Sequence, residues 1–313
     1  MRIKNNTPDR HPEDTSEGSY RILIWIFLFS FMFGIACNLN APKPGKQVLI
    51  TEGLSGNLID GYWVYLPKNF DESKSYPIIL FLSGGAGVSS HKGDAKGEGP
   101  AKFAIHDTIE PILNTVLQDS FIIINPHMDI GPPETRAWRH HSETLFSIVD
   151  EIAAEYSGDL GRIIVTGLSH GGAGTWDLLK KHSNRIAAAL AIGGPIRCEN
   201  DCQTIGDTPF WIIHNSGDNV ISIRFPDEVS NNLLANNELD IEKLNEINSV
   251  PASKFVYSRI EKDGHDAWNY AYSNPNIYTW LLEQTQIDFF NFCCDDFINR
   301  ECPNPWLMGN NLG

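Results

Sequence analysis

The sequence predicts an α/β fold, a mostly parallel sheet with helices on both faces, and three observations carry that prediction. Strand-like apolar runs alternate with helix-period stretches over some 240 residues. One run, YPIILFLSGG (76–85), is continuously apolar, the pattern of a strand buried on both faces. A second, RIIVTG (162–167), stops abruptly at Gly167-Leu168-Ser169-His170-Gly171 and gives way to a helical pattern.

Taken in order, the chain leaves a spacer, NLNAPKPGK, and enters GYWVYLP (61–67), which has strand character, as do residues 76–85 and SFIIINPH (120–127). From Ser142 to Tyr156 the period changes: Leu145, Ile148, Val149, Ile152, Ala153 and Tyr156 form one stripe of an amphipathic helix, with Ser142 as its N-cap. A strand at 162–167, a helix over about 172–182 and the strands AAALAIGG (187–194) and PFWIIHNSG (209–217) follow. A charged helical stretch comes next, and its acidity at 236–246 reads as a solvated helix face. KFVYSRIE (254–261) is the last strand, and a final helix begins near Pro275. Segments 86–110 and 126–141 have no readable periodicity. There is no internal repeat. The expected organisation is a single domain over 46–290 and a cysteine-containing tail over 291–313.

At 313 residues and 42% hydrophobic content the chain can bury one generous core. Its net charge of −15 argues against a nucleic-acid partner, because affinity for a phosphate backbone comes from Lys and Arg. The N-terminus is polar up to Arg21, and ILIWIFLFSFMFGIAC then runs uncharged from Ile22 to Cys37. That run is short for a membrane-spanning helix, which needs about 20 residues, but suits a signal-peptide core. The ending Gly34-Ile35-Ala36-Cys37 resembles a bacterial lipoprotein signal, which implies that Cys37 becomes the lipidated first residue; an uncleaved signal anchor is the alternative. On either reading residues 1–37 are a leader, 38–45 a spacer, and the bulk of the protein is exported to the cell envelope.

The remaining cysteines agree with export. With no CxxC pair a structural zinc site is not expected. In an oxidising compartment Cys198 and Cys202 of CENDC can close a small loop, and Cys302 can pair with Cys293 or Cys294.

In a parallel sheet, ligands bind beyond the carboxyl ends of the strands, which is where Ser169 stands. A tight strand-to-helix turn would hold the serine in a strained conformation and lift its hydroxyl clear of the sheet, with Gly167 and Gly171 avoiding clashes. A serine hydroxyl needs a base, and the base needs an acid to orient it. Asp218, at the end of PFWIIHNSGD, and His265, at the end of KFVYSRIEKDGH, follow in the order Ser, Asp, His, each on a loop after a strand. The glycine-rich loop of FLSGGAG (81–87) offers an oxyanion donor at Gly85, with Ala86 as a one-residue alternative, and the His170 amide offers the other.

These stretches resemble the α/β-hydrolase superfamily, and within it the predicted peptidases and esterases related to polyhydroxybutyrate depolymerases, feruloyl esterases and dienelactone hydrolases. The resemblance rests on PIILFLSGGAG, RIIVTGLSHGGAGTWDLLKKHSNRIAAALAIGG, TPFWIIHNSGDNVIS and GHDAWNYAYSNPNIYTWLLEQ, and covers about residues 46–286. It implies Ser169, Asp218 and His265 as a triad. Two positions depart from the group: Ser83 replaces a histidine common before the oxyanion glycines, and His170 replaces a methionine or glutamine.

Other residues are read by their setting. His127, His140 and His141 cluster near Arg136, Trp138 and Arg139, but carboxylates at ligand spacing are missing, so a metal is not expected. Trp138 is expected at the rim of the site, in contact with substrate, and Trp268 as a pocket wall, with core packing as its alternative. His214, inside a strand, reads as a buried, satisfied histidine, and Trp176 as core. The sequence therefore predicts an exported serine hydrolase that cleaves carboxylic esters without metal or organic cofactor. Peptide cleavage on the same triad and a silent binding protein on the same scaffold are the alternatives.

Overall fold

The computed structural model describes residues 41–51, 54, 58–105, 111–198, 202–237 and 241–284, without the side chains of 111–115, 203, 236 and 237. The predicted leader with Cys37, and the tail with Cys293, Cys294 and Cys302, lie outside them. From Pro42 onward the described residues belong to one compact unit.

The chain runs β1 (Gln47–Ile50), β2 (Ile59–Tyr65), β3 (Tyr76–Leu82), α1 (Lys92–Lys96), α2 (Gly99–Ala104), α3 (Pro111–Ser120) and β4 (Ile122–Met128). It continues through α4 (Ser142–Glu155), β5 (Gly158–Leu168), α5 (His170–His182), β6 (Ala188–Ile192), β7 (Phe210–Gly217) and α6 (Arg224–Asn237). β8 (Ile241–Leu244), β9 (Phe255–Asp263), α7 (Trp268–Tyr272) and α8 (Pro275–Glu283) complete it.

The strands form one nine-stranded sheet in the order β1-β2-β4-β3-β5-β6-β7-β9-β8. From β4 to β8 every pairing is parallel; β1 and β2 extend one edge through antiparallel pairings. β3 explains the central burial: its side chains alternate between two cores, each worth about 1.5–3 kcal/mol per fully buried large apolar residue. Ile78, Leu80 and Leu82 join Leu145, Val149 and Ile152 of α4 and Leu178 of α5 on one face. Ile79 and Phe81 join Leu117 of α3 and Tyr278 and Trp280 of α8 on the other.

The strand order positions the site. The chain leaves β3 for β4 on one side, then returns to β5 on the other, so β3 and β5 flank a topological switch point, the place where open α/β sheets bind ligands. Leu82 pairs with Gly167, which brings the glycine loop after β3 beside the turn after β5.

Two expectations are corrected. Ser142 is not the N-cap of α4 but its first helical residue; His141 holds the cap position, and the Ser142 hydroxyl accepts a hydrogen bond from Lys181 at 3.0 Å. Within the acidic stretch 236–246, Ile241–Leu244 is not helical: it forms a short edge strand parallel to β9, where charge is a common means of blunting an open edge. The 86–110 segment contains α1 and α2, of five and six residues, too short to show a helical period. Among the described residues no helix is long and apolar enough to cross a membrane.

Candidate active site

Ser169 occupies the single residue between β5 and α5, with φ 52° and ψ −115°. For a non-glycine residue this region costs about 1–3 kcal/mol, and it persists only where neighbours over-determine it. Here the Ser169 amide donates to the Ile192 carbonyl at 2.8 Å, and the Ala173 amide donates to the Ser169 carbonyl at 3.1 Å. The flanking glycines are required by space. A Cβ on Gly167 would stand 2.7 Å from the Leu82 carbonyl oxygen, and one on Gly171 would overlap the Leu82 backbone itself.

The turn presents the Ser169 hydroxyl to His265. Oγ donates to His265 Nε2 at 2.8 Å, and His265 Nδ1 donates to Asp218 Oδ2 at 2.7 Å. Three loops from three strand ends therefore converge in one hydrogen-bonded chain. The loops after β7 and β9 are also stitched together: the Gly264 amide donates to the Gly217 carbonyl, and Asn215 Nδ2 donates to the Gly264 carbonyl at 2.9 Å. Gly264, at φ +85°, takes a conformation that a side chain would strain.

Asp218 is held as a carboxylate. Its side chain is 1% exposed, and this burial works to raise its pKa. The hydrogen bonds from His265 and from the amides of Ile221 and Val220, the latter two to Oδ1 at 2.9 and 2.8 Å, outweigh burial and hold it below the usual carboxylate range. His214, predicted as a buried histidine, has a further part here. Its Nε2–H donates to the Ile221 carbonyl at 3.0 Å and lies 3.1 Å from Asp218 Oδ2, and burial keeps its pKa low.

Beside Ser169 stands the glycine loop. Residues 85–87 form a 3-10 turn directly beyond β3, and a Cβ on Gly84 would be 3.7 Å from that of Ser169. The amides of Gly85, Ala86 and His170 have no hydrogen-bond partner among the described residues, so they are open to a bound oxyanion. Glu98, which the sequence did not single out, fixes this loop: its carboxylate accepts the Gly84 amide at 3.0 Å. Burial pushes its pKa up, against the opposing effect of that hydrogen bond.

The two tryptophans part company. Trp268 is half-buried and stands edge-on to His265 at 5.0 Å between ring centroids, beside Gly193. Trp138 is not a rim residue: it is 1% exposed, its indole N–H donates to the Ser83 carbonyl at 3.2 Å, and it packs on α5. A Cβ on Gly174 of α5 would stand 2.6 Å from the Trp138 Cβ, so this helix and the indole meet at closest approach. His127 is buried against Asp60, and His141 bonds the Thr135 carbonyl. Among the described residues no cluster of three or more His, Cys, Asp or Glu is arranged to hold a metal. Cys198 and Cys202 are joined in a disulfide, closing the loop expected of CENDC.

Comparison of the whole molecule with solved structures places it among known folds. Over 77% of this chain and 63% of the other, it superposes on a thermostable esterase with a TM-score of 0.59 at 22% identity. The fold is that of the α/β-hydrolase superfamily. A ferulic acid esterase from Anaeromyces mucronatus matches over 78% of this chain and 94% of its own, with a TM-score of 0.54 and 18% identity. An acetyl xylan esterase from Aspergillus awamori matches over 75% and 99%, with a TM-score of 0.53 and 15% identity. By sequence, dipeptidyl-peptidase 5 of Porphyromonas gingivalis is 25% identical over 193 residues, which is 54% of this chain and 25% of that protein. No family model matches the chain.

Proposed function

We propose that this α/β-hydrolase is a serine hydrolase that cleaves carboxylic esters, with Ser169, His265 and Asp218 as its catalytic triad. One observation carries the reading: the unbroken hydrogen-bond chain Asp218–His265–Ser169 ends at a hydroxyl on a strained turn. His265 takes the Ser169 proton as Oγ attacks the ester carbonyl, and the Gly85 and His170 amides hold the oxyanion that forms. His265 then gives the proton to the leaving alcohol. Water, activated by the same imidazole, attacks the acyl-enzyme, and release of the acid restores Ser169. Asp218 keeps the imidazole oriented and stabilises its cationic form. Trp268, against His265, forms part of the substrate wall. The esterases that share the fold support an ester substrate on a carbohydrate or polyester.

The test is turnover of 4-nitrophenyl acetate, methyl ferulate and a peptide 4-nitroanilide by the full chain and by Ser169→Ala. Ester turnover that falls at least about 10⁴-fold in the variant is the expected result. The Porphyromonas relative gives a second reading, peptide cleavage, which the anilide reads directly. Turnover of none of the three, together with failure of a fluorophosphonate to label Ser169 in folded protein, would sink both in favour of a silent binding protein.

Export belongs to the same proposal: residues 1–37 direct the chain out of the cytoplasm, and Cys37 carries the lipid that anchors it. Cys37→Ala should release the protein from the membrane fraction or block processing. Unchanged fractionation and processing would exclude lipidation.

A further inference from the structure

A cavity of about 530 Å³ lies along α5, lined by Arg139, Ala173, Asp177, Lys180, Pro195 and Arg197. Among the described residues, Arg139, Lys180 and Arg197 line it together with one carboxylate, Asp177, in a chain whose net charge is −15. Asp177 is shared: Arg139 approaches it at 3.4 Å and Lys180 at 3.9 Å. The Arg197 guanidinium lies 4.3 Å from the centre of the Phe225 ring and has no carboxylate partner among the described residues.

A fold-supporting role explains only part of this charge. Lys180 sits in the last turn of α5, where a cation complements the helix dipole. Arg139 and Arg197 belong to other segments, the turn before α4 and the loop after β6, and converge on the same cavity. Guanidinium groups are suited to carboxylate and sulfate because their planar N–H pairs match two oxygens at once.

One wall residue of the cavity stands on the first turn of the helix that Ser169 opens. Ala173, on its wall, donates its amide to the Ser169 carbonyl, one helical turn away. At 1.5 Å per residue, Asp177 and Lys180 stand about 12 and 16 Å from Ser169 along the helix. That is the reach of a few linked sugar rings, and the volume lies within the roughly 300–1,000 Å³ range of small-ligand sites.

We infer that this cavity is a subsite for an acidic saccharide, in which Arg139 and Arg197 hold a carboxylate or sulfate of the substrate while its ester lies at Ser169. The inference rests on the ester-hydrolase reading, and its test separates the two. Trigalacturonate and the neutral xylotriose are compared as inhibitors of 4-nitrophenyl acetate hydrolysis, and as ligands by calorimetry, with the full chain. Sodium sulfate is run in parallel.

Trigalacturonate should bind at least about tenfold more tightly than xylotriose and compete with the ester. Arg197→Glu should weaken trigalacturonate by about tenfold or more, and Arg197→Lys, which keeps the charge but not the paired N–H geometry, should weaken it by less than Arg197→Glu. Unchanged melting temperatures show that both variants fold. Equal binding of the two saccharides, or indifference to Arg197→Glu, would overturn the inference. So would charge-dependent binding of sulfate and trigalacturonate without competition, which would mark a free-anion site. Calorimetry needs no turnover, so a protein that binds trigalacturonate through Arg197 but turns over none of the three substrates and takes no fluorophosphonate would refute the hydrolase reading and leave the anion recognition standing.

Discussion

His214 Nε2 lies 3.1 Å from Asp218 Oδ2, the same oxygen that His265 Nδ1 meets at 2.7 Å. Asp218 thus meets four groups: two backbone amides on Oδ1 and two imidazoles on Oδ2. The side chains of both His214 and Asp218 are 1% exposed, so no water replaces a lost partner cheaply. His214→Phe should cost about 1–3 kcal/mol, because the Ile221 carbonyl loses its donor. It should also lower kcat, because the ring that packs against the Asp218 carboxylate and ties down the Ile221 carbonyl of the same loop is replaced. His214→Gln, which can offer an N–H at the same depth, should recover most of both. Wild-type kcat in the phenylalanine variant would show that the position of Asp218 does not depend on His214.

Asp218 also links folding to pH. Its folded pKa is depressed below the usual 3.8, so it contributes stability above the unfolded value and loses that contribution as pH falls through the folded one. Asp218→Asn should therefore flatten the decline in melting temperature on acidification below about pH 4, and reduce kcat by about 10⁴-fold. Parallel melting curves for wild type and variant across that window would remove Asp218 from the acid-sensitive groups.

Much of this arrangement was legible in the sequence, and the reasons are local. Ser169, Asp218 and His265 each follow an apolar strand run directly, so a parallel sheet alone brings their loops to one end. Glu98 was not legible, because α1 and α2 are too short for periodicity and its partner, the Gly84 amide, carries no side-chain signature. Trp138 was misread because a loop position implied exposure, whereas Gly174 lets α5 approach closely enough to bury the indole. The strand at Ile241–Leu244 was misread because an edge strand uses charge much as a helix surface does.

Glu98 gives a prediction with two arms. Glu98→Ala leaves the buried Gly84 amide without an acceptor and should cost about 1–3 kcal/mol, with a fall in kcat as the glycine loop loosens. Glu98→Gln keeps an acceptor and removes the charge. Because burial raises the folded pKa of Glu98 above 4.5, the wild type gains stability from its neutral form below the unfolded value. That gain is lost as pH rises through the folded pKa, and Glu98→Gln should not show the loss. Thermal melts between pH 4 and 7 read it; identical slopes would mean that Glu98 titrates alike in both states.

Gly85 allows the oxyanion assignment to be tested with the fold held constant. A Cβ there meets nothing within 4 Å, and Gly85 has no positive φ, so Gly85→Ala should fold and retain activity because the amide remains. Gly85→Pro removes that amide and little else. Gly84 before it is extended, at φ −70° and ψ −176°, as a residue preceding proline must be, and Gly85 is the first residue of a 3-10 turn, where no internal hydrogen bond needs its N–H. The proline variant should keep the wild-type melting temperature within a few degrees and lose about 10²–10³-fold in kcat, the effect of deleting one oxyanion donor. KM should change far less, because the donor acts on charge that develops after binding. If Gly85→Pro retains full kcat, the donor is another amide, and Ala86, equally open on the same turn, is the one to substitute next.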